Sequence, residues 1–229
     1  MGVMVLFTVV ALIISIIYYR RNRDLRILTW YIASSLMQDI SCIYAFPDRD
    51  PGHFRAGQMY WTEFAFMLFE FIACTLFILR SIQSRQIRRI VKINALLFFG
   101  LLAVDTALTF PNFSRIYTSF VIYYIMPECF FLVIPCHIYF YELFLSKNLR
   151  PLKDQPAFWV ITGILFLNAC DLPLLLTAQL LKISQHFNGA YTLNNILYTI
   201  LFVLVIRAFL CPPSNTPPLP YGNSTPVSG

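Results

Sequence analysis

Residues 60–79, YWTEFAFMLFEFIACTLFIL, are twenty consecutive residues of almost wholly apolar character. As a helix they are long enough to cross the hydrocarbon core of a bilayer. Two carboxylates interrupt the run, Glu63 and Glu70, seven residues apart and therefore on nearly the same helix face. Arg80, Arg85, Arg88, Arg89 and Lys92 follow directly, with no acidic residue among them. A chain with such a segment must fold against lipid, and the basic segment beside it marks which way it points.

The rest of the chain agrees. Of its 229 residues 58% are hydrophobic and 12% charged, against roughly 25% charged in a soluble domain. The formal net charge of +6 sits in loops between apolar runs, which assigns it to orientation and to anionic lipid rather than to nucleic acid. Cys42, Cys74, Cys129, Cys136 and Cys170 fall inside apolar runs and read as small hydrophobes, not as a disulfide framework. The N-terminus lacks a basic n-region and a cleavage site, so it reads as a retained first span.

The sequence predicts an all-α, integral membrane bundle of seven spans: Gly2–Tyr18, Ile27–Phe46, Tyr60–Leu79, Ile93–Phe110, Ile116–Leu145, Ala157–Leu181 and Tyr191–Leu210. Thirteen of the 17 basic residues then lie on one side and four (Arg49, Arg55, Arg115, Lys182) on the other. This partition puts the N-terminus outside and the C-terminus in the cytoplasm. Residues 1–211 form the bundle. The remainder, 212–229, is uncharged and rich in proline and reads as a disordered tail. Cys211 at the membrane edge reads as a passive residue rather than an acylation site. Asn112–Ser114 fits a glycosylation sequon but hugs the membrane.

Seven of the eleven acidic residues fall within the predicted spans: Asp39, Glu63, Glu70, Asp105, Glu128, Glu142 and Asp171. A charge in the middle of a lipid-embedded helix costs about 2.5–3.5 kcal/mol on insertion scales. These groups must therefore face the bundle interior, water or a partner. Glu70, Asp39, Glu63, Asp105, Glu128 and Asp171 are the candidates for binding a ligand or carrying a proton. Glu70 and Glu128 lie closest to the midplane. If their faces converge they line an outward acidic cavity; otherwise each is satisfied by a neighbouring tyrosine or asparagine. Glu142 and Arg207 are expected to pair on the cytoplasmic side. Pro127 and Pro135 should free the carbonyls of Tyr123 and Phe131, because proline has no N–H to donate to the residue four positions earlier.

Several chemistries are argued against. The last span has no lysine for a retinal Schiff base, and only one histidine, His137, lies in a span, so no histidine-rich metal site is expected. No nucleophile elbow, zinc-protease motif or phosphate-binding glycine loop occurs. The outer loops lack the cysteine pair common in G-protein-coupled receptors. Asp39 and Asp171 occupy similar positions in the second helix of each flanking trio, an echo of parallel-repeat transporters.

The segments PAFWVITGILFLNACDLPLLL (156–176) and LNNILYTILFVLVIRAFLC (193–211), with Asp39 and Glu70, resemble a group of small seven-helix bacterial membrane proteins without assigned function. The resemblance extends over residues 1–211. It implies a bacterial cytoplasmic-membrane location and transfers no activity, ligand or partner. Because the chain is compact, lacks catalytic motifs and has almost no soluble domain, its function is expected to be that of a non-enzymatic sensor or ligand-binding module without cofactor, embedded in the bilayer and signalling through a cytoplasmic or membrane partner. The alternative is a small-solute or proton-coupled transporter.

Overall fold

A computed structural model describes residues 2–20, 25–45, 53–109, 124–145, 151–180 and 188–211. The proline-rich tail, the sequon and the Tyr123 carbonyl lie outside them. The described residues form seven α-helices and no strand. They are α1 (Gly2–Ile17), α2 (Arg26–Ala45), α3 (His53–Ser81), α4 (Arg85–Thr109), α5 (Met126–Leu145), α6 (Pro156–Leu180) and α7 (Asn188–Leu210). Five contain segments long and apolar enough to cross a membrane: Thr62–Ser81, Arg85–Leu108, Met126–Leu145, Pro156–Thr177 and Thr192–Leu210. α1 is apolar but shorter, and α2 is diluted by Ser34, Ser35, Gln38, Asp39 and Ser41.

Two helices differ from the sequence expectation in an instructive way. α3 begins at His53, seven residues before the apolar run, and α4 begins at Arg85, so the basic segment is largely helical. Arginine, glutamine and lysine are good helix formers, and Ser84 starts the helix. Its hydroxyl accepts from the Ile87 N–H at 3.5 Å and its carbonyl from the Arg88 N–H at 3.0 Å. The Arg88 side chain folds back, Nε donating to the Ile82 carbonyl at 2.7 Å.

Helix contacts run α1–α2–α3–α5–α6–α7 and return to α1, closing a ring of six, with α4 packed outside against α5 and α3. Most of α4 consequently faces outward, with Leu96, Leu97, Val104 and Leu108 exposed, as suits a lipid-facing helix. Gly163 permits the close approach of α6 to α7. A Cβ there would stand 2.8 Å from Leu201 Cδ1. Phe71 of α3 stacks on Phe98 of α4 with centroids 3.8 Å apart, and Phe99 meets Phe71 edge-on at 5.6 Å.

The ring interior is layered. Toward the end that carries the α3–α4 turn it is closed and holds no buried carboxyl: Leu28, Ile32, Phe77, Ile78, Cys136, Val160, Ile161, Val205 and Phe209 are all buried, with Ser15, Thr29 and Thr75 the small polar side chains among them. Toward the middle and the opposite end the buried side chains turn polar, with Ser35, Asp39, Glu70, Glu128 and Asn168. Some of these groups are satisfied within their own helix, as where Asn168 Nδ2 donates to the Ile164 carbonyl at 2.8 Å. Others are not, and these define the site.

Candidate acid–tyrosine site at the centre of the ring

Glu70 projects from the middle of α3 into the ring, 6% exposed. Each carboxylate oxygen accepts a tyrosine hydroxyl: Tyr31 of α2 donates to Oε1 at 2.8 Å and Tyr198 of α7 to Oε2 at 3.3 Å. One carboxyl thereby ties three helices together through hydrogen bonds made in a dry interior, where such bonds are strongest. Aromatic rings enclose the pair. Tyr31 stacks on Phe66 at 6.3 Å, and Phe202 tilts against Tyr31 at 6.5 Å and Tyr198 at 6.4 Å.

Two further carboxyls stand within electrostatic reach of Glu70. These are Glu128, near the start of α5, and Asp171 of α6. Glu128 is also 6% exposed, and its Oε1 is wholly buried without a hydrogen-bond partner among the described residues. The thiols of Cys74, one turn beyond Glu70, and of Cys129, beside Glu128, lie within the same field. Among the described residues no lysine, arginine or histidine contributes to the field at Glu70 or Glu128. Buried like charges need positive charge nearby, so a proton or a bound cation must supply what the described side chains do not.

Of the six residues singled out in the sequence, three therefore share one electrostatic field and three do not. Asp39 is buried in the C-terminal half of α2, with Oδ2 unpartnered and no link to the other carboxyls. Asp105 of α4 lies outside the ring and accepts a hydrogen bond from Tyr124. Glu63 is half-buried on α3, two turns from Glu70 and apart from the centre. Among the described residues the carboxyl faces do not all converge: Glu70, Glu128 and Asp171 share one electrostatic field, and Asp39, Asp105 and Glu63 lie apart from it. Asp39 and Asp105 point elsewhere because helix rotation, which no residue spacing reveals, sets them toward other neighbours.

The expected Glu142–Arg207 pair does not form. Glu142 Oε1 instead accepts the Ser84 N–H at 2.6 Å and the Gln83 N–H at 3.1 Å, where the unsatisfied amides and positive dipole end of α4 favour an anion. Arg207 lies over the Trp159 ring, 5.8 Å from its centroid, while Trp159 Nε1 donates to the Lys153 carbonyl at 3.0 Å. Cys211, just past α7, is 1% exposed, with its thiol against the carbonyls of Arg207 at 3.4 Å and Lys153 at 3.6 Å. Burial pushes that thiol above its ordinary pKa, so it is not presented for acylation.

Tyr31 and Tyr198 were missed in the sequence. The available signal was a tyrosine within an apolar run, since a buried phenol usually finds a partner. A separate groove of about 660 Å³ lies between α3 and α4, lined by Phe64, Leu68, Phe99, Leu102, Ala103, Thr106 and Ala107. Its almost wholly apolar wall offers little to orient a polar solute. Compared with known proteins, the chain matches no family model, no curated protein and no solved structure.

Proposed function

We propose that the chain is a seven-span membrane protein that binds a ligand at the Glu70–Glu128–Asp171 centre and acts as a non-enzymatic sensor, passing the signal to a cytoplasmic or membrane partner. The observation that carries this reading is the one-sided layering of the ring. The buried carboxyls Asp39, Glu70 and Glu128 occupy the middle and the far end, while the turn end is closed by Leu28, Ile32, Phe77, Ile78, Val160, Ile161 and Val205. A ligand reaching the centre from the far side meets a packed floor and changes the spacing of α2, α3 and α7 through Glu70. The partition of basic residues supports that far side as the outside. The turn end, with the α3–α4 basic segment, then faces the cytoplasm. The resemblance of residues 156–176 and 193–211 to small bacterial membrane proteins supports the bacterial inner membrane as its location.

One observation favours transport as a second reading. The centre joins Tyr31 and Glu70 from the first three helices to Glu128, Asp171 and Tyr198 from the last three, and alternating access needs a site between two halves. Proteoliposomes separate the readings. Saturable binding of a small solute without flux supports sensing, and coupled flux above empty vesicles supports transport. A reporter fused after Thr216 should behave as cytoplasmic, and a periplasm-active fusion there would reverse the orientation.

A further inference from the structure

We infer that the acid–tyrosine centre is a receptor site for a small primary amine in its ammonium form, an inference that rests on reading this centre as the ligand site. The charge argument comes first. The titratable groups facing the centre are Tyr31 from α2, Glu70 and Cys74 from α3, Glu128 and Cys129 from α5, Asp171 from α6 and Tyr198 from α7. All are acids, phenols or thiols and α1 carries no titratable side chain, so among the described side chains none supplies the complementary charge, and a cation from outside can take the place of a proton there.

Direction comes second. Glu70 already takes one tyrosine hydroxyl on each oxygen and keeps a lone pair on both. Glu128 is buried just as deeply, and its Oε1 accepts nothing among the described residues. A buried carboxylate oxygen without a donor costs stability, and a ligand N–H removes that cost. An ammonium group can give one N–H to Glu128 Oε1 and keep two for acceptors beside it. The three carboxyls share a field but are not drawn into one metal-sized set, for no three acidic, cysteine or histidine side chains among the described residues are close enough to hold a metal ion.

The walls supply the third argument. Tyr31, Phe66, Tyr198 and Phe202 form a continuous aromatic lining beside the carboxyls. Aromatic faces attract a cation and pack its hydrocarbon substituent. Protons compete for the same oxygens, so amine affinity falls as pH falls.

The test is calorimetric titration of the full chain in nanodiscs with n-butylammonium, tetramethylammonium and sodium chlorides. n-Butylammonium should bind saturably, one per chain, weaken on acidification and weaken about tenfold or more in Glu128→Gln, a loss of roughly 1.4 kcal/mol per tenfold. Glu63→Gln should leave it unchanged. Tetramethylammonium, which has no N–H, and sodium should not compete. Sodium competing on equal terms would make this an inorganic-cation site, overturning the amine while leaving the centre as a ligand site. Binding that persists unchanged in folded Glu128→Gln and Glu70→Gln would place the amine elsewhere and remove the centre from both readings. No binding of n-butylammonium overturns the inference alone, since the centre could still take another solute. Should Glu128→Gln not fold, the wild-type pH profile decides, and affinity that does not weaken in acid rejects the site.

Discussion

The side-chain amide of Asn94 on α4 donates to the carbonyl of Phe131 on α5 at 2.8 Å. Phe131 lies four residues before Pro135, which sits inside α5 and has no N–H to give it. The proline breaks a bond within one helix, and a neighbouring helix replaces it. This contact anchors α4, the only helix of the seven outside the ring, to the wall that carries Glu128.

Asn94→Leu should therefore destabilise the fold by about 1–3 kcal/mol, the cost of an unsatisfied buried carbonyl. Pro135→Ala restores the N–H, so in the Asn94→Leu background it should recover much of that loss. Thermal unfolding of the four proteins in a double-mutant cycle reads the coupling. Additive effects would mean that Asn94 does not act through the freed carbonyl.

The freed Phe131 carbonyl was legible in the sequence, and its partner was not. Helices follow from apolar runs, so α1, α2, α6 and α7 begin or end within a few residues of expectation. The same is true of the triad to a point. Glu70, Glu128 and Asp171 were visible as acids in apolar runs, but so were Asp39, Asp105 and Glu63, and spacing along one helix says nothing about its rotation against another. Glu142 shows the same limit. A carboxylate near the end of a span suggested an arginine partner, yet the backbone amides at Gln83 and Ser84 were nearer. Backbone donors at helix ends carry no side-chain signature.

Tyr31→Phe and Tyr198→Phe each remove one hydroxyl from Glu70. Each should cost about 1–3 kcal/mol, with Tyr31 the larger because its bond is 2.8 Å against 3.3 Å. Combining either with Glu70→Gln should give less than the sum, as residues sharing one network do. Equal and additive losses in chemical unfolding would contradict the network.

Two glycines should respond oppositely to alanine. At Gly163 the new methyl meets Leu201 Cδ1 at 2.8 Å and Leu204 Cδ1 at 3.4 Å, pressing α6 off α7, and a loss of about 1–3 kcal/mol is expected. At Gly100 nothing lies within 4 Å, so alanine should gain up to about 1 kcal/mol of helix propensity. Melting temperatures in one detergent compare them directly, and a destabilised Gly100→Ala would mean that α4 packs more closely than described.

Glu142 holds the α3–α4 turn through the amides of Gln83 and Ser84. Glu142→Leu should speed hydrogen exchange at those two amides by about tenfold, the equivalent of roughly 1.4 kcal/mol of local stability. Exchange deeper in α3, at Cys74 and Phe77, should change less. Arg207→Leu should leave the Gln83 and Ser84 amides untouched, because Arg207 packs on Trp159 instead.

The claim that the centre serves a ligand rests on Glu70, and equilibrium binding to folded Glu70→Gln tests it most directly. Glutamine keeps the shape and can still accept a tyrosine hydroxyl, but it cannot be charged. Once a solute that binds the wild-type chain saturably is in hand, Glu70→Gln should retain the fold by circular dichroism and gel filtration and lose that binding, while Glu63→Gln keeps it. A folded Glu70→Gln protein that binds the solute as tightly as the wild type would contradict the account and leave Glu70 a structural tie between α2, α3 and α7.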